Sequence, residues 1–268
     1  MEPATNENPV GLLLLAHGER LQGADNGGAS RLKADLTARG IAAEIRLGFI
    51  NGAPTLAEAL NEFEAPRILV YPLLMSAGYF ARKGFRELRE AQAVAGRKRI
   101  VDILPILGLD PALADIVAAR ASAAIQSLGV KPAEAILVLM AHGSARESAS
   151  QVATDTLAAR IGRRGLFADV HAAYLEQTPS LAETLSSRRA PAVVAGLFAG
   201  EGLHGGIDVA RTIAETGRSD IAFAGNAGSW PEIAEIVVRA VEREFQPAGI
   251  SGMSATRGGD PPFSESPI

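Results

Sequence analysis

The sequence predicts an α/β protein of two similar doubly wound lobes, each a parallel sheet wrapped by helices, with a cleft between them. Three observations carry that expectation. LLLLAHG at 12–18 returns as LVLMAHG at 137–143, with five of seven positions identical and an offset of 125 (142 − 17) between the two histidines. RLGFINGAPTLAEAL at 46–60 returns at the same offset as HAAYLEQTPSLAETL at 171–185. Two separate segments sharing one offset mark a duplicated module. Within each copy, short apolar runs alternate with helix-like segments, which implies parallel sheets with right-handed crossovers.

Residues 1–10 read as a polar leader feeding a buried strand. The apolar runs at 12–16 and 137–141, bounded by turn residues, fit buried parallel strands. Helices follow at about 26–39 and 147–162, then second strands at 42–49 and 168–175. The unit P-[TS]-L-A-E-x-L opens a second helix in each copy, with proline suited to the first turn and threonine or serine to capping. Third strands read RILVYPLL at 67–74 and AVVAGLF at 192–198, and last strands IVDILPIL at 100–107 and IAFAG at 221–225. Closing helices complete lobes expected at 11–130 and 131–245, joined near 126–134. The segment 246–268, rich in Gly, Ser and Pro, reads as a disordered tail.

Composition narrows the function. The 268 residues carry a net charge of −4, which provides no global basic field for nucleic acid or an anionic membrane. Cysteine is absent, which removes disulfides, thiolate ligands and cysteine nucleophiles and fits a reducing cytoplasm. No apolar run is long enough to span a bilayer, and the N-terminus lacks a signal-peptide pattern. The expectation is a cytoplasmic protein, a monomer or homodimer, without nucleic-acid or membrane partners.

In doubly wound sheets, ligands bind at the carboxyl ends of the strands. In the second copy, those ends bring His142, Glu176 and, in the loop after the third strand, His204. Two imidazoles and a carboxylate on one sheet edge suit a divalent metal such as Fe²⁺, Co²⁺ or Zn²⁺ and leave coordination positions open. In the first copy His17 matches His142, but Asn51 stands at the Glu176 position and Phe80 at that of His204. This divergence points to one site per chain, in the second lobe, with the first lobe covering it. His171, at the opposite end of its strand, reads as structural.

Two other patterns are weaker. Gly200, Gly202 and Gly205 satisfy G-x-G-x-x-G, but they follow the third strand of their module, and no acidic residue ends the next strand. The glycines fit better as a turn that presents His204. Ser144 follows a strand end, yet the G-x-S-x-G elbow is missing and no acid is placed to orient His142 as a base.

AHGS after one strand, AYLEQTPSL after the next and GLFAGEGLH-GGIDV after the third resemble the class II tetrapyrrole chelatases, and most closely the sirohydrochlorin chelatases of the CbiX, CbiK and SirB type. The resemblance covers roughly 11–245, and internal duplication is a feature of that family's long forms. It implies insertion of Fe²⁺ or Co²⁺ into sirohydrochlorin, for sirohaem or cobalamin synthesis, with no cofactor beyond the substrate metal. On that resemblance His142 and His204 bind metal and accept protons, and Glu176 is their acidic partner. The partners it implies are a sirohydrochlorin-like tetrapyrrole and a divalent metal. A carboxylate-rich macrocycle calls for local cations, and His17, Arg20, Arg82, Lys83, Arg86 and Arg146 are the candidates. For each of the basic residues, a solvated helix start or loop reads equally well. The alternatives are a chelatase for another metal or tetrapyrrole, and a non-catalytic metal or tetrapyrrole carrier with the same fold.

Overall fold

A computed structural model describes residues 9–18, 26–94, 96, 98–199 and 207–245. Residues 1–8 of the predicted leader, the tail and the loop 200–206 lie outside the described residues, and Val10, expected to end the leader, is instead the first residue of a buried strand.

The described chain runs β1 (Val10–Ala16), α1 (Gly27–Ala38), β2 (Glu44–Phe49), α2 (Leu56–Asn61), β3 (Arg67–Leu73), α3 (Tyr79–Val94), β4 (Ile100–Ile103) and α4 (Leu113–Gln126). The second half repeats the order with β5 (Ile136–Ala141), α5 (Ala149–Gly162), β6 (Asp169–Tyr174), α6 (Leu181–Ser186), β7 (Ala192–Gly196), α7 (Ile207–Glu215), β8 (Ile221–Asn226) and α8 (Ile233–Arg243). The strands form two parallel four-stranded sheets, ordered β2-β1-β3-β4 and β6-β5-β7-β8. The two-lobed doubly wound fold read from the repeat is therefore the observed one.

β1 and β5 are buried along their whole length because they lie inside their sheets with both faces covered. On the faces turned toward each other, Leu12, Leu14, Leu137 and Leu139 join one apolar cluster that runs through both lobes. On the outer faces, Leu13, Leu15 and Val70 pack under α2 and α3, and Val138, Met140 and Val194 under α6 and α7. Alternate residues of one strand thus serve two different cores, as the period of two requires.

The repeated P-[TS]-L-A-E-x-L unit forms a helix start, with one correction to the sequence expectation. Thr55 and Ser180 are N-caps, each in a reciprocal capping box with Glu58 or Glu183. Pro54 and Pro179 therefore precede the cap and are not in the first turn. The hydroxyl and the glutamate satisfy the orphan N–H groups between them, so proline's missing donor is not what starts the helix.

Two helices cross between the halves. α4 packs over β7 and β8 of the other sheet. α8 lies against α1, and its end is tied to the first sheet by Arg67–Glu244 at 2.9 Å. Arg120 of α4 and Glu232, the residue before α8, pair at 2.7 Å. Each half thus lends its last helix to the other.

Candidate active site

The AHG turns are built alike in both lobes. After β5 the chain turns at Gly143, where φ is +73°. A Cβ there would stand 2.9 Å from Gln177 Cγ and 3.0 Å from Tyr174 Cβ. Glycine is thus required by the left-handed backbone and by the closeness of the next loop. That loop, after β6, is laced to the turn. The Glu176 N–H donates to the His142 carbonyl at 3.0 Å, and the Ser144 N–H donates to Gln177 Oε1 at 2.8 Å. The lacing brings His142 Nδ1 and Glu176 Oε2 to 3.7 Å, on exposed side chains. Such a gap is too long for a hydrogen bond. It is close to the roughly 3.4 Å expected between two ligand atoms of a tetrahedral ion with bonds of about 2.1 Å.

The first lobe has the same backbone. Gly18 has φ of +74°, and the Asn51 N–H donates to the His17 carbonyl at 2.9 Å. The side chains do something else. His17 Nδ1 donates to the Gly18 carbonyl at 2.7 Å, which leaves Nε2 to accept from Asn51 Nδ2 at 3.3 Å. Lys83 Nζ donates to Asn51 Oδ1 at 3.1 Å and to the Ile50 carbonyl at 3.3 Å. The Phe80 ring stands edge-on to His17 with centroids 4.1 Å apart. Where the second lobe has a histidine facing a carboxylate, the first has an amide, an ammonium and an aromatic ring packed together.

The structure thus brings His142 and Glu176 together and places His17 with Asn51, Lys83 and Phe80. His204, Arg20 and the glycines at 200, 202 and 205 fall outside the described residues. Among the described residues, no group of three His, Cys, Asp or Glu side chains could hold an ion.

Of the basic candidates, Arg82 pairs with Glu147 at 2.5 Å, and Glu147 also accepts from the Tyr79 N–H at the start of α3. Burial raises the Glu147 carboxyl, but the Arg82 guanidinium and the Tyr79 N–H outweigh it and hold the group below the ordinary carboxylate range. Arg86 lies near Glu90 at 3.8 Å on an exposed helix face, and Arg146 is on the exposed loop after His142. A cavity of about 450 Å³ opens between the lobes beside Arg82, Glu147 and Arg160. His171 stands at the other edge of the sheet, 3.0 Å from Asp169, and burial lowers its pKa.

Sequence reasoning missed Gln177 and Glu147. Gln177 was findable, since the first copy has Gly52 at that position. Glu147 acts across the two halves, and no spacing within either copy announces it.

Among curated proteins, none matches the sequence. Solved structures do. A CbiX described as the terminal enzyme for the biosynthesis of siroheme in denitrifying bacteria is 25% identical, with a TM-score of 0.68, covering 87% of this chain and 98% of that one. SirB from Bacillus subtilis with Fe³⁺ is 16% identical with a TM-score of 0.73, covering 88% of this chain and 95% of that one. DR2241 from Deinococcus radiodurans, described as a multi-domain protein with structural similarity to chelatases, is 23% identical with a TM-score of 0.69, covering 87% of this chain. This chain spans only 54% of DR2241's length. The CbiX family model matches residues 11–124 and again 136–244, once over each half. With both sheets and nearly all the described elements inside those two stretches, the chain belongs to the CbiX family.

Proposed function

We propose that the protein is a sirohydrochlorin chelatase that inserts a divalent metal, Fe²⁺ or Co²⁺, into the tetrapyrrole, with the working site in the second lobe. The observation that carries this reading is the His142–Glu176 pair, held 3.7 Å apart at the ends of neighbouring strands.

Insertion exchanges a metal ion for the two inner N–H protons of the macrocycle, so two protons must leave. An imidazole ordinarily titrates near pH 6.5, so it can hold a borderline cation and also accept a proton near neutrality. Glu176 offsets the charge of the ion beside His142, and His204 supplies the further nitrogen ligand. The macrocycle occupies the cleft between the lobes. Arg86 and Arg146, both exposed, take its peripheral carboxylates, with Arg20, Arg82, Lys83 and His17 as further contacts. Lys83 and Arg82 exchange their partners Asn51 and Glu147 to do so. The family and the backbone lacing common to both lobes support this reading.

The test is anaerobic incubation with sirohydrochlorin and Co²⁺ or Fe²⁺, followed through the absorption spectrum of the macrocycle. The expected result is metallation well above the uncatalysed rate, lowered about a hundredfold in His142→Ala, the lower end for loss of a general base. Tight binding of the macrocycle with no acceleration would instead identify a carrier.

A further inference from the structure

Tyr79 and Phe80 open α3 beyond the carboxyl end of β3, and both rings are uncovered, at 56% and 39% exposure. A single exposed apolar residue is ordinary, but two adjoining rings held in place make a patch. Phe80 stands edge-on to His17 with centroids 4.1 Å apart, and Tyr79 packs against Phe80 at 5.3 Å with the ring planes at 75°. The Tyr79 N–H donates to Glu147, so the second lobe holds the backbone that carries the first ring. The strand-end loops of the two lobes touch here. A Cβ on Gly78 would stand 2.6 Å from Glu147 Oε1 and 3.4 Å from Ala149 Cβ. Glu147 follows His142 by five residues, which limits their Cα separation to about 19 Å.

Cations accompany the rings. Arg82, Lys83 and Arg86 follow Tyr79 at i+3, i+4 and i+7 and share its face of α3, while Ala81, Gly84, Leu88 and Ala91 fill the buried face. Arg82 holds Glu147, and Lys83–Glu87 at 3.6 Å and Arg86–Glu90 at 3.8 Å are long pairs within the helix. Long pairs near the surface are weak, so an incoming carboxylate can replace the partner. The second copy has neither rings nor cations here. Leu203 and His204 stand where Tyr79 and Phe80 do, and Gly206, Ile207 and Ala210 where the three cations do. The lobe with a histidine facing a carboxylate lacks the aromatic, cationic face, and the lobe with that face lacks the carboxylate.

We propose, resting on the reading of the ligand as a tetrapyrrole, that the ring of Tyr79 is the stacking contact for the macrocycle, with Phe80 packed behind it against His17. A flat conjugated ring with carboxylates on its rim matches this face in both respects. Its π surface meets an aromatic side chain, and its anions meet the cations around that side chain. With their planes at 75°, Tyr79 and Phe80 cannot both lie flat against one macrocycle. The more exposed Tyr79 therefore takes the face, and Phe80 supports it. Because the contacts with Phe80 and Glu147 fix Tyr79 before any ligand arrives, little ordering is left to be done on binding.

The experiment titrates the full chain with metal-free sirohydrochlorin under anaerobic conditions and reads binding from the fluorescence anisotropy of the macrocycle. Binding of Co²⁺ alone, followed through its visible absorption, and the thermal midpoint are measured beside it. Tyr79→Ala should weaken sirohydrochlorin binding about tenfold, the size of one stacking contact, and leave Co²⁺ binding and the midpoint as in the wild type. Tyr79→Phe keeps the ring and should bind within about twofold of the wild type. A Tyr79→Ala protein that binds sirohydrochlorin as the wild type does overturns this proposal and leaves the tetrapyrrole reading standing. A Tyr79→Phe protein as weak as Tyr79→Ala shows that the ring is not the contact and also overturns it. So does a loss in Tyr79→Ala that comes with a lowered midpoint or an equal loss of Co²⁺ affinity, since the side chain is then structural. A wild type that binds no sirohydrochlorin overturns both.

Discussion

Single residues set the two lobes apart. The two strand-end turns have the same backbone bonds, and their chemistry parts at the side chains of Asn51 and Glu176. Replacing Glu176 with glutamine removes the charge and keeps the shape, so Co²⁺ binding should weaken while the thermal midpoint stays near that of the wild type. Gly143→Ala acts differently. It puts a Cβ where φ is +73° and Gln177 Cγ is 2.9 Å away. A left-handed backbone costs an L-residue about 1–2 kcal/mol before the clash is counted. The midpoint should therefore fall, and Co²⁺ binding with it, because the lacing of Gln177 and Glu176 to the turn is disturbed. The placement of His17, His142 and Glu176 just past strand ends was legible in the sequence because each follows an apolar run in a repeated unit. The partners of His17 were not. That Lys83 reaches back to Asn51 depends on how α3 lies over the sheet, and spacing does not encode that.

At the scale of elements, the short helices α2 and α6 depend on their starts, since six residues hardly sustain a helix alone. Ser180→Ala should cost about 1 kcal/mol, measured by denaturant unfolding, through loss of the cap. Both caps follow from T-L-A-E and S-L-A-E, so this part of the fold was written plainly. The tie between the β5–α5 loop and α3 was not. Glu147 is ionised below the ordinary carboxylate range while it holds Arg82 and the Tyr79 N–H. A carboxyl whose folded pKa is depressed lends stability in full above its unfolded pKa and loses it as the pH falls through the folded one. Unfolding followed from about pH 6 to pH 3 should show a loss of stability that is smaller in Glu147→Gln. A wild type and variant with the same profile would mean that the tie carries no stability. Because the same loop begins at His142, loosening it also frees the site relative to the first lobe.

At the scale of the molecule, the repeat revealed two lobes but not how they are joined. Sequence divides the chain near residue 130, whereas packing does not, because α4 covers β7 and β8. An apolar helix face shows that a helix is buried and is silent about which sheet buries it. One core cluster runs through both halves, so Leu139→Ala should cost about 2–5 kcal/mol and shift a single cooperative transition. Two resolved transitions would show that the lobes unfold separately. Residues 1–130 and 131–268 expressed apart should each remain largely unfolded and recover structure when mixed, which circular dichroism would follow. The exchange of last helices also bears on how such a gene can change. Natural selection can let the strand ends of the two copies drift apart in their side chains, as Asn51 and Phe80 against Glu176 and His204 record. It cannot discard either copy, because deleting one would strip a helix from the other. Each half is thereby inherited as scaffold for the other, free in the chemistry of its strand ends and bound in its shape.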